Sequence, residues 1–256
     1  MKVEKLILPF LLILLSVQTY SQRQFEDMPG LIAHAGGVID GYVYTNSVEA
    51  MEESMNNGYK YVEIDLLISS DGYPVAAHDW EMFNEATGFP EYGDEALNYD
   101  EFVSRKLYGK YTPITYKEII YFFDTYPDWI LVTDKLDDVE ILDSFFSRYR
   151  DRIIVESFSY DAYIKLRAVD YRAIYASYGG IYPVLANSLK NMVQGGAPID
   201  FVTVFVSSES DVLEEFQKYK CILPLKIAAC TTDDEMYIDD HLGNEFDLIY
   251  TNKVAP

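Results

Sequence analysis

The sequence predicts an α/β protein, a (β/α)8 TIM barrel, on three observations. Eight short apolar runs punctuate the chain, at 31–35, 61–67, 129–134, 152–157, 173–178, 201–206, 225–230 and 247–252. Stretches with helical periodicity separate most of them, at 47–57, 116–126, 137–149, 159–168, 183–194, 209–219 and 233–240. Strands alternating with helices of this length pair in parallel through crossover helices. The first three runs also carry a histidine or acids at or near their ends, and the C-terminal ends of barrel strands are where chemistry collects. A doubly wound open sheet is the competing arrangement.

The first 21 residues stand apart. Lys2 and Lys5 precede an unbroken apolar run from Leu6 to Leu15, and Thr19 and Ser21 sit three and one residues before a cut at Gln22. This is the pattern of a secretory signal peptide, and the run is short for a membrane span. The expectation is an exported protein, periplasmic or extracellular in a bacterium, with an uncleaved anchor as the alternative. No cysteine flanks the cut, which excludes lipid attachment there. Residues 22–256 then read as one domain. Of the 256 residues, 49% are apolar, enough for one sizeable core.

The first run, "LIAHA", stops at His34, with Gly36 and Gly37 behind it. The glycines read as room for a ligand group beside the imidazole. "NSVE" at 46–49 places Asn46 three before Glu49, a capping-box variant that starts the first helix. The second run carries Glu63 and Asp65, which share one face of a strand, with Ile64 on the other. Facing inward, two such carboxylates repel unless a cation joins them, and a divalent ion with oxygen ligands is the natural partner. Facing outward, they are a solvated pair. Asp71-Gly72 then marks a tight turn, and "PVAA" returns as a short strand to His78-Asp79. Two histidines thus flank a carboxylate pair at one end of the barrel. The third run ends "VTDK". Asp134 is either a third oxygen ligand or a helix cap, with Asp137 and Asp138 competing for the cap. Both faces of this run are apolar, so parity does not place Asp134.

A long interruption spans about 79–115, rich in Gly, Pro, Tyr and acids. It follows a strand and is expected to sit over the mouth. Trp80, beside His78, is a candidate for lining the cleft. Glu156 and Lys226 lie on later runs and are further candidates for the mouth. His241 falls in a helix-to-strand connection at the far end. Cys221 and Cys230 bracket a loop and strand, too extended for a bond, so both are expected unpaired. The formal charge of −22 argues against nucleic acid and anionic membrane surfaces as partners.

Taken in order, these residues resemble the glycerophosphodiester phosphodiesterase family of the phosphatidylinositol phospholipase C-like barrels. The resemblance rests on His34-Ala35-Gly36, Thr45-Asn46-Ser47 with Ala50, Gly58, Glu63-Ile64-Asp65, Asp71-Gly72, His78-Asp79, Thr87-Gly88 and the tail "FDLIYTNKVAP". It covers 31–256 and is most specific over 32–88. It implies a metal-dependent phosphodiesterase acting on a glycerol-type or lipid-headgroup phosphodiester. His34 and His78 would be the general acid–base pair. Glu63 and Asp65 would bind one divalent cation, Ca²⁺ or Mg²⁺. The family's third-strand Glu-x-Lys falls on either 133–135 or 134–136; the second register keeps a carboxylate, Asp134. Ala35 stands where the family has an arginine, Thr45 where it has a glutamate, and Asn252 where it closes with an aspartate. Lys135 or Lys226 is the candidate substitute for the arginine. Two other functions remain in view: a phospholipase acting on membrane lipid, and a barrel that only binds a ligand.

Overall fold

A computed structural model describes residues 28–176, 201–206 and 225–256, with single positions 217 and 220. The expected signal peptide, the helix expected at 183–194, nearly all of the one at 209–219, and Cys221, with the expectation that both cysteines are unpaired, lie outside the described residues.

The described strands are β1 (Gly30–Ala33), β2 (Tyr61–Ile68), β3 (Pro74–Ala76), β4 (Ile130–Asp134), β5 (Ile153–Ser157), β6 (Arg172–Ala176), β7 (Phe201–Phe205), β8 (Lys226–Cys230) and β9 (Leu248–Thr251). All but β3 run parallel, in the order β1-β9-β8-β7-β6-β5-β4-β2. β1 also pairs with β2, which closes the ring. An open doubly wound sheet would leave two free edges; the ring of eight described parallel strands has none. The eight strands coincide with the eight apolar runs. The short return strand β3 pairs antiparallel with β2.

Alternation along each strand sorts side chains into two cores. Ile32, Tyr61, Ile130, Val132, Ile154, Ile174, Phe201, Ala228, Leu248 and Tyr250 fill the barrel interior. Leu31, Val62, Ile64, Leu131 and Val155 face outward and pack with helix residues such as Met51, Phe122, Leu142 and Leu166. Burial of each large aliphatic side chain contributes about 1.5–3 kcal/mol. This parity decides the site, because the next inward position on a strand lies two residues further up.

The described helices are α1 (Val48–Asn56), α2 (Trp80–Ala86), α3 (Tyr99–Ser104), α4 (Tyr116–Thr125), α5 (Val139–Phe146), α6 (Tyr160–Ala168) and α7 (Glu235–His241). Side-chain caps start them. Thr115 with Glu118 forms a capping box on α4, and Asp138, not Asp134, caps α5. On α1 the cap is Ser47, whose side chain accepts from Ala50 N. The expectation that Asn46 is the cap is therefore wrong; φ at Asn46 is +46°, and its side chain goes elsewhere.

The 79–115 insertion folds into α2, α3 and a turn around a core of its own, with Val75, Phe83, Leu97, Phe102, Leu107 and Tyr111. Trp80 belongs to this packing, edge-on to Phe83 and Phe102. The insertion does not line the mouth, and neither does Trp80. The cause is local. Asp79 caps α2, and the helix carries the chain away from His78 immediately.

Candidate active site

The C-terminal ends of the strands surround a cleft of about 640 Å³. His34, Glu63, His78, Asp134, Lys135 and Glu156 line it, with Tyr44, Phe205, Cys230, Thr231 and Tyr250. Each strand residue reaches it by parity. Ile32 is inward, so His34 is. Tyr61 is inward, so Glu63 and Asp65 are. Val132 is inward, which settles the face of Asp134; it sits beside Asp65 in the β2–β4 ladder.

Glu63, Asp65 and Asp134 each offer an oxygen within 4.8 Å of the other two. Glu63 and Asp65 are buried. Ala35 N donates to Glu63 Oε2 at 2.6 Å, and φ of +49° at Ala35 aims that N–H. The other oxygen, Glu63 Oε1, is buried with no hydrogen-bond partner. Asp65 is gripped by Asn46 at two points. Burial, then the neighbouring Asp65 and Asp134, push the Glu63 carboxyl well above the usual carboxylate range. Burial raises Asp65 to about 6, against the pull of Asn46. Lys135 Nζ lies 3.0 Å from Asp134 and 3.8 Å from Asp65. Burial works against its charge, but Asp134, Asp65 and Glu63 together outweigh burial and raise its pKa. Converging hard-oxygen donors with one orphaned buried carboxylate oxygen fit a divalent cation of the Ca²⁺ or Mg²⁺ type.

His34 Nδ1 lies 3.1 Å from Asn252 Oδ1. Asn252 Nδ2 donates to the Asp233 carboxylate at 3.2 Å, which fixes the amide with its carbonyl toward His34. His34 Nδ1 therefore carries the proton, and in the neutral ring Nε2 is the basic nitrogen, 4.0 Å from Glu63 Oε2. Burial lowers the His34 pKa and so favours the neutral ring. His78 Nδ1 donates to Asp79 Oδ2 at 2.8 Å, while Asp79 Oδ1 caps α2. Asp79 thus ties one imidazole to the start of a helix.

Four sequence expectations change. Lys226 begins β8 and pairs with Asp247 at 2.8 Å, at the far end of the barrel; Lys135 is the lysine at the cleft. Gly36 and Gly37 are buried under α1 rather than open to the cleft: a Cβ on Gly37 would lie 2.2 Å from Ser54 Oγ. Asn46 serves Asp65, and Trp80 serves the insertion. Glu156 does reach the cleft, bonded to the Tyr250 hydroxyl. His241 closes α7 at the far end, stacked on Tyr237. Sequence reasoning missed Tyr44, and it missed Asn252 and Asp79 as the residues that hold the imidazoles.

Fold and site together define a barrel hydrolase with two histidines set beside an acidic trio. The sequence model of the Glycerophosphoryl diester phosphodiesterase family matches residues 37–176, more than half of the chain. The chain belongs to that family and is a phosphodiesterase. No curated protein sequence matches it. Its fold is similar to that of an Oleispira antarctica phosphodiesterase solved with the product sn-glycerol-3-phosphate. The two share 21% identity and a TM-score of 0.68, over 90% of this chain and 95% of that one. A glycerophosphodiester phosphodiesterase from Thermotoga maritima is 19% identical, with a TM-score of 0.66 over 87% and 94% of the two chains. One from Parabacteroides distasonis is 17% identical, with a TM-score of 0.63 over 87% and 92%.

Proposed function

We propose that the protein hydrolyses a small glycerol-type or headgroup phosphodiester, with one divalent cation held by Glu63, Asp65 and Asp134. The observation that carries this is the meeting of both histidines with that trio in one cleft. When bound, the cation supplies charge neutralisation for the phosphoryl oxygens. His34 Nε2 takes the proton of the attacking hydroxyl, from water or from the substrate itself, as the new P–O bond forms. His78 gives a proton to the leaving alkoxide as the old P–O bond breaks. Asn252 and Asp79 hold the two rings. Lys135, between Asp134 and Asp65, limits the repulsion within the trio. The product held by the Oleispira antarctica relative supports a small substrate over a membrane lipid.

The test is hydrolysis of glycerophosphocholine, glycerophosphoethanolamine, a phosphoinositol and bis-nitrophenyl phosphate, with Ca²⁺, with Mg²⁺ and with chelator. Metal-dependent turnover that His34→Ala and His78→Ala each lower by about 10²- to 10⁴-fold supports the reading. Metal-independent turnover, or full activity in both variants, refutes it, and binding without turnover favours a binding module. The charged and apolar pattern of residues 1–21 supports export, with the mature chain starting at Gln22; N-terminal sequencing of exported protein tests that start.

A further inference from the structure

Tyr44 occupies a position that neither the strand pattern nor the acid–base reading explains. Its ring stands edge-on to both imidazoles. The centroid is 4.7 Å from that of His34, at an interplanar angle of 72°, and 5.4 Å from that of His78, at 89°. Those histidines come from different elements, the end of β1 and the turn after β3. Each ring is anchored by a hydrogen bond at Nδ1, to Asn252 or to Asp79. One such bond fixes a point on the ring and leaves the tilt about that point open. A perpendicular aromatic neighbour restricts the tilt, because edge-to-face contacts are directional.

The backbone is arranged for this contact. Tyr44 has φ of +58°, a conformation that a bulky side chain rarely adopts, and Ala35, Asp40 and Asn46 on the same loop are also left-handed. Such strain persists where surrounding structure over-determines it, and it clusters at functional sites. Here Asn46 N donates to Ala35 O at 3.1 Å, and the Asn46 side chain is locked to Asp65. The loop is pinned on both sides of Tyr44.

We propose that Tyr44 is a positioning residue whose ring, wedged between His34 and His78, sets the spacing and tilt of the two imidazoles. The nucleophile attacks on one side of phosphorus and the leaving group departs from the other, so both Nε2 atoms must be in place at once. Misplacement by about 1 Å costs on the order of a hundredfold in rate. The ring carries the role, so phenylalanine suffices. The inference rests on the histidine pair proposed above.

The experiment compares Tyr44→Phe and Tyr44→Leu with the parent, in the parent and His78→Ala backgrounds, on glycerophosphocholine with saturating Ca²⁺. Tyr44→Phe should keep kcat within about twofold. Tyr44→Leu should lower kcat about 30- to 100-fold with KM within about threefold, since it removes alignment and not substrate contact. In the His78→Ala background, Tyr44→Leu should cost several-fold less than in the parent, because the part of its effect that runs through His78 is already gone and only the part through His34 remains. Calcium titration by calorimetry should be unchanged in Tyr44→Leu, which separates misalignment from misfolding. The proposal is overturned if leucine keeps kcat, if phenylalanine is as damaging as leucine, if the loss falls on KM, if calcium binding is lost, or if the two losses simply multiply. Full activity of His34→Ala and His78→Ala would instead remove the histidine reading itself. Loss in those variants with full activity in Tyr44→Leu removes the positioning role alone.

Discussion

Asn46 and Asp65 hold each other by two hydrogen bonds. Asn46 Nδ2 donates to Asp65 Oδ2 at 2.9 Å, and Asp65 N donates to Asn46 Oδ1 at 3.0 Å. The first orients a carboxylate of the acidic trio; the second ties the same side chain to the β2 backbone. Both partners are buried. A residue that orients a metal ligand contributes about 10- to 100-fold to affinity. Asn46→Ala is therefore expected to weaken Ca²⁺ or Mg²⁺ binding by that factor in calorimetry. It should also lower stability by about 1–3 kcal/mol, since a buried amide N–H of Asp65 is left unpaired.

The acidic trio predicts a pH-dependent response to metal. Burial raises the pKa of Asp65 to about 6 and that of Glu63 well above its ordinary range. For a carboxyl raised in the folded state, the stabilisation is complete below the unfolded pKa of about 3.9 for Asp. It is lost as pH rises through the folded value. The metal-free chain should thus lose this contribution between about pH 4 and pH 6, and a cation restores stability by taking the place of the protons. At 100 times its Kd the cation contributes about 2.7 kcal/mol. Adding it at pH 7.5 should raise Tm by about 5–10 °C, and the same addition at pH 5 should do much less. An equal shift at both pH values would mean that these carboxyls are not the ligands.

The barrel and half of the site were legible because both follow period two. Period two puts Glu63 and Asp65 on one face with Tyr61; the sequence left open whether that face points inward, and the closed barrel decides that it does. Asp134 was not legible in this way, since both faces of its strand are apolar; its alignment with Asp65 in the ladder decides it. Asn46 was misread because asparagine and serine are both good caps and stand side by side. The left-handed φ at Asn46 gives the cap to Ser47, and the partner of Asn46 is far away in sequence. Lys226 was misplaced because it begins its strand, and the site lies at the strand ends. Tyr44 and Asn252 act through contacts between distant loops, for which local periodicity carries no signal; Asp79 adjoins His78, and its hold on the ring depends on side-chain geometry that the pattern does not show.

Gly37 should not tolerate a side chain. Its φ is +94°, and an added Cβ would lie 2.2 Å from Ser54 Oγ. Ser54 cannot swing aside without breaking its hydrogen bond to Gly36 O at 2.8 Å. Gly37→Ala is expected to cost about 2–4 kcal/mol in urea unfolding. Adding Ser54→Ala should recover only part, because the backbone strain remains. Complete recovery in the double variant would assign the whole cost to the clash.

The whole-chain charge makes a prediction about rate. The formal charge is −22, and among the described residues the cleft is lined by Glu63, Asp134 and Glu156 against one lysine, Lys135. A phosphodiester with a neutral or anionic alcohol approaches as a net anion and is repelled at long range. One with a cationic alcohol, such as glycerophosphocholine, approaches as a zwitterion. Raising ionic strength from 0.01 to 0.15 M shortens the screening length from about 30 to 8 Å. It should therefore raise kcat/KM for the anionic diesters roughly two- to tenfold, with little change for glycerophosphocholine. The measurement is kcat/KM against salt at fixed free Ca²⁺ for both substrates. A fall with salt on the anionic substrate would show that the bound cation and Lys135, rather than the surrounding acids, set the field that a substrate meets on approach.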